Sequence, residues 1–86
     1  MLKFISPAQC RGGRALLDMT QPQLASIAGL GLSTVVDFER QRRTVSEEAV
    51  RKMQEALEKA GVQFIPENGG GPGVRLRKPI PEERKG

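Results

Sequence analysis

The chain has 86 residues, room for one domain around one small core that is only marginally stable by itself. A single cysteine and no histidine exclude an intramolecular disulfide, a zinc cluster and the usual imidazole acid–base chemistry. Net charge is +4 and unevenly placed: residues 1–43 carry six Lys/Arg against three Asp/Glu, residues 74–86 five against two, and residues 44–73 three against five, a distribution that suits a polyanion on part of the surface.

Met1 to Ile5 is a short apolar lead-in. Ser6 as cap, Pro7 at the first helical position and Gln9 closing the capping box predict a first helix running to about Met19. Cys10, Leu16 and Leu17 are expected to face its core. Cys10 reads as a small buried hydrophobe and not as a redox sensor. Gly12-Gly13 costs roughly 1 kcal/mol per residue relative to alanine in a helix. Close packing of a neighbour on Gly13 accounts for one glycine; the sequence offers no account of both.

Thr20 and Gln23 form a second capping box, and Leu24, Ile27 and Ala28 give an apolar stripe at helical spacing. Gly29-Leu30-Gly31 then breaks the pattern. A third helix follows, with Val35 and Phe38 pointing inward and Ser33, Val36, Asp37 and Arg40 largely on other faces. Arg40, Arg42 and Arg43 make a basic cluster after it. Ser46 caps a fourth helix that has Glu47 and Glu48 at its positive end and Lys59 at its negative end. Val45 and Val50 form a hydrophobic staple; Val50, Met53, Leu57 and Ala60 supply the stripe, and Gly61 ends the helix.

Val62 to Ile65 is β-prone, and in the run Gly73 to Lys78 Val74 and Leu76 alternate with Arg75 and Arg77, a half-buried strand with a basic outer face. The two runs can pair as a hairpin. Because a lone hairpin is marginal and its edges invite another strand, they are expected to lie against the helices and join a second subunit, with Val62, Phe64, Val74 and Leu76 at the dimer interface. The ENGGGPG stretch between them reads as a turn, since it lacks the Lys-Ser/Thr and following helix of a phosphate cradle. The organisation expected is residues 1–61 as the helical domain, 62–78 as a strand extension and 79–86 as a disordered tail.

At Gln21, Leu24, Ala25, Gly29, Ser33, Thr34, Val35, Phe38, Glu39, Arg42 and Arg43 the chain resembles the XRE class of helix-turn-helix proteins, relatives of the lambda repressor and Cro. The resemblance implies a mainly α fold: a four-helix lambda-repressor-like domain, here with a short C-terminal β-hairpin or strand pair. It further implies that Leu32, Ser33, Val36 and Asp37 face DNA bases. Gln21 would then bond a phosphate and brace the reading helix, with Arg40, Arg42 and Arg43 near the backbone. Leu32 and Val36 suit thymine methyls, Ser33 bonds either way, and Asp37 suits cytosine N4. Two positions depart from the family: Gly31 stands where a Ser or Thr cap is usual, and Gln41 where Gly is usual.

The function expected is a sequence-specific regulator of transcription that binds double-stranded DNA. It would be a repressor on a palindromic operator, acting as a homodimer with two reading helices about 34 Å apart. The other reading is a protein-interaction module, an antitoxin or antiactivator on the same scaffold. An enzyme is disfavoured, with no nucleophile beside a base and no carboxylate pair in an evident cleft, and no cofactor is expected. With no run of transmembrane length and MLKFISP too short for a signal peptide, the expected location is the cytoplasm, at the nucleoid.

Overall fold

A computed structural model describes residues 4–77. Residues 1–3 of the lead-in, Lys78, expected to end the second β-prone run, and the expected tail at 79–86 lie outside the described residues. The fold is mainly helical: α1 (Pro7–Leu16), α2 (Gln21–Ala28), α3 (Leu32–Glu39) and α4 (Glu47–Lys59), then β1 (Val62–Ile65) and β2 (Gly73–Leu76) in a two-stranded antiparallel sheet.

The caps fix where three helices begin. Ser6 Oγ accepts from Gln9 N–H at 3.1 Å while Gln9 Oε1 accepts from Ser6 N–H at 2.9 Å. Thr20 and Gln23 repeat the arrangement at 3.2 and 2.8 Å, and Ser46 Oγ accepts from Ala49 N–H at 3.1 Å. Gly31 begins α3 with no side-chain cap. At the far end of α2, Gly29 takes φ +71, the left-handed exit expected of it, whereas Gly31 does not use a positive φ.

Helix α1 stops at Leu16, three residues short of expectation. Asp18 turns left-handed at φ 53 and Met19 N–H closes on the Arg14 carbonyl at 2.9 Å, bringing the chain round to Thr20. An aspartate tolerates that conformation better than a branched residue. Leu16 is therefore 40% exposed, and Leu17 alone of that pair packs on the core. Ile27 is also exposed, at 55%, because the two-turn α2 turns Leu24, Ala25 and Ala28 inward instead. In α4 the stripe is completed by Ala56, and Ala60 lies on the surface.

Leu24, Val35, Met53, Leu57 and Val62 are fully buried and form the centre, each contributing roughly 1.5–3 kcal/mol of apolar burial. The hairpin belongs to this same core. Its register pairs Val62 with Leu76 and Phe64 with Val74, and all four side chains pack on their own chain. Of these four, expected at a subunit interface, Val62 is fully buried in its own chain, and Phe64, Val74 and Leu76 remain half-buried.

The two glycines of α1 are where the hairpin sits. A Cβ on Gly12 would lie 3.0 Å from Val74 Cγ1, and one on Gly13 would lie 3.5 Å from both Leu57 Cδ1 and Phe64 Cζ. Gln9, buried one turn earlier, donates from Nε2 to the carbonyls of Ile65 at 3.2 Å and Gly73 at 2.9 Å. It clasps the loop end of the hairpin while its other amide atom caps α1. Among the described residues no helix is long and apolar enough to cross a membrane.

Candidate nucleic-acid interface

Helices α2 and α3 are joined by the three residues Gly29 to Gly31, and the surface expected to read DNA is the outward side of α3. Val35 and Glu39 are buried beneath it and Phe38 packs partly on the core. Leu32, 46% exposed, and Ser33 stand outward, and Val36 and Asp37 are half-buried. The four residues expected to meet bases are thus on the side of α3 left open.

Glu39, only 1% exposed, holds α3 to the other helices. Arg14 donates to it twice, Nε to Oε2 and Nη2 to Oε1, both at 2.7 Å. Gln21 Nε2 donates to Oε1 at 2.9 Å and the Cys10 thiol to Oε2 at 3.1 Å. Arg11 reaches the Glu39 carbonyl, and Arg14 Nη1 donates to the Met19 carbonyl at 2.9 Å. Burial by itself raises the Glu39 carboxyl; the hydrogen bonds from Arg14, Gln21 and Cys10, with the charge of Arg14, outweigh it and hold the group below the usual carboxylate range. Burial first, then the bond to Glu39, pushes the Cys10 thiol far up, so it stays protonated and inert.

This network leaves an open pocket of about 530 Å³ where the end of α1, the start of α2 and the end of α3 meet. Arg11, Arg14, Gln21, Arg40 and Thr20 line it together with Asp18, Met19, Pro22 and Glu39. Gln21 and Arg40, singled out in the sequence, are brought together here. Arg11 and Arg14 were missed: they lie three apart on one helix face, a spacing that the sequence displays, but nothing in it shows that this face closes on α3. The positive end of α2 adds to the field of the arginines.

Beyond α3, Arg40, Arg42 and Arg43 are all exposed. They do not act alike. Arg43 Nε donates to Asp37 Oδ2 at 2.8 Å, joining a residue expected at phosphate to one expected at a base. Arg42 has no ion-pair partner among the described residues. Gln41, standing where Gly is usual in the XRE class, takes φ 57, and the N–H of Arg42 closes on the Asp37 carbonyl at 2.9 Å.

Comparison of the sequence with protein-family models gave no match, and no curated protein matches it.

Proposed function

We propose that the chain is a sequence-specific regulator of transcription that binds double-stranded DNA through a lambda-repressor-like helix-turn-helix, α3 being the reading helix. The observation that carries this reading is the placing of charge about α3. Its outward face is bounded at its C-terminal end by the pocket with Arg11, Arg14, Arg40 and Gln21 and by the exposed Arg42. Side chains of short reach stand on the open face and the exposed Arg40 and Arg42 lie past its C-terminal end, the division of labour that groove binding needs. The mechanism is repression: a homodimer occupies a palindromic operator and blocks polymerase, at the nucleoid.

Duplex binding measured as salt is raised tests it. Each phosphate engaged lowers the logarithm of affinity by about 0.9 per logarithm of salt, so a steep fall is expected, reduced by about one unit in Arg42→Ala. Absence of binding to any duplex at low salt would overturn the reading.

One observation favours a second reading, a protein-interaction module of the antitoxin or antiactivator kind. Ile27 and Leu32 on either side of the α2–α3 turn are both large, apolar and exposed. For that module, a partner captured through these residues and lost in Ile27→Glu is the expected result, with DNA affinity insensitive to salt.

A further inference from the structure

Asp37 lies on the outward side of α3 and Arg43 four residues past its end, yet the chain is folded to bring them together. The left-handed Gln41 reverses the backbone, and the Arg42 N–H fixes the Asp37 carbonyl. Arg43 then returns to the carboxylate. The segment 41–43 therefore holds Asp37 by main chain and side chain at once. The Arg43 side chain remains 52% exposed and that of Asp37 20% exposed, so the pair is open to a ligand from the solvent side.

Resting on the DNA-binding reading above, we propose that Arg43 is a positioning residue for base selection. It holds the Asp37 carboxylate on the reading face so that Oδ1 accepts from the exocyclic amino group of a cytosine, while its own outer guanidinium N–H groups meet a neighbouring phosphate.

An unaccompanied carboxylate beside two phosphate rails is repelled by both. With a guanidinium 2.8 Å away the pair is close to neutral, and the acid is tolerated against a polyanion. Only Nε is committed to Asp37; the Nη donors of Arg43 are available to a second anion. A carboxylate only accepts, which decides the base. In the major groove guanine offers acceptors at O6 and N7 and thymine an acceptor at O4. Adenine offers N6–H, but beside the N7 acceptor, which repels the carboxylate. Cytosine offers N4–H with only a C–H next to it. One N4 hydrogen pairs with guanine and the other carries the contact. A methyl on N4 removes it and a methyl on C5 does not.

The test is selection of duplexes from a random pool by the full chain and by Arg43→Gln and Asp37→Asn. The selected duplex is then titrated with N4-methylcytosine or C5-methylcytosine at the chosen position. Wild type is expected to favour cytosine at one position in each half-site by about tenfold, and Asp37→Asn to shift that position toward adenine. Arg43→Gln should weaken all sites and also flatten that one position. N4-methylation should cost wild type about tenfold and C5-methylation little; this arm needs no variant to fold. Uniform weakening by Arg43→Gln with the cytosine preference intact would overturn the positioning role and leave DNA binding standing. So would indifference to N4-methylation. If no duplex is retained at low salt, the DNA-binding reading fails and the inference with it.

Discussion

Arg14 and Glu39, 25 residues apart, meet through two hydrogen bonds of 2.7 Å with the carboxylate fully buried. This pair binds α1 to α3. Removing one partner leaves a buried charge uncompensated, so Arg14→Ala should cost about 3 kcal/mol or more, measured by urea unfolding. For a domain of this size that is much of the total stability. A loss below about 1 kcal/mol would show that α3 is seated by other contacts.

Acid should act through the same carboxylate. The folded value of Glu39 lies below its ordinary 4.5, so the stabilisation is complete above that value and is lost as the pH falls through the folded one. Wild type is therefore expected to lose more stability between about pH 5 and pH 3 than Glu39→Gln, which is weaker at neutral pH but flatter in acid. Parallel profiles would contradict the assignment.

Gln9 should resist conservative exchange. Glu keeps the acceptor that caps α1 but loses the amide donor and sets a carboxylate against the carbonyls of Ile65 and Gly73. Gln9→Glu is expected to cost about 2 kcal/mol or more at neutral pH and to recover as acid protonates it. Amide exchange of the hairpin should rise with it. Unchanged protection of β1 and β2 would show the clasp to be dispensable.

The adjacent glycines of α1 should answer oppositely to one methyl group. At Gly13 the added carbon makes ordinary contacts at 3.5 Å, and gained helix propensity should stabilise Gly13→Ala by up to about 1 kcal/mol. At Gly12 it meets Val74 Cγ1 at 3.0 Å, on a β-branched side chain with little rotational freedom, so Gly12→Ala should destabilise. Val74→Ala in that background is the expected rescue. Two thermal shifts of the same sign would refute the packing described.

Gln41 is strained at φ 57, where a side chain costs roughly 1–2 kcal/mol, part of which glycine gives back through the unfolded chain. Gln41→Gly is expected to raise stability by about 0.5–1 kcal/mol and Gln41→Ala to leave it unchanged. Equal melting temperatures for all three proteins would rule the strain out.

Much of the fold was legible because its signals are local. The three caps, the Gly29 exit and the two β-prone runs each depend on residues close to one another in sequence. The errors come where a distant element decides. Leu16 and Ile27 were expected in the core with Leu17 and Ala28, but α1 stops at Leu16 and α2 turns Leu24, Ala25 and Ala28 inward, so only Leu17 and Ala28 pack there. Close packing was foreseen at Gly13 alone; the second glycine is explained by Val74, which lies across Gly12 from more than fifty positions later. In the candidate site, the outward residues of α3 could be read from its periodicity. The Asp37–Arg43 pair and the convergence of Arg11 and Arg14 on Glu39 could not, because both depend on how the chain reverses and which helix faces which.

Gln9 has a consequence for how the molecule fails. The last strand rests on α1, α1 carries Arg14, and Arg14 seats α3 through Glu39, so the two extremities of the described chain and α3 are mechanically in series. A protease that nicks the glycine-rich bend, far from α3, would loosen the seating of α3 and, on the proposed DNA-binding function, weaken binding without touching any group on its outward face. Such a clipped species would be disarmed before it was degraded.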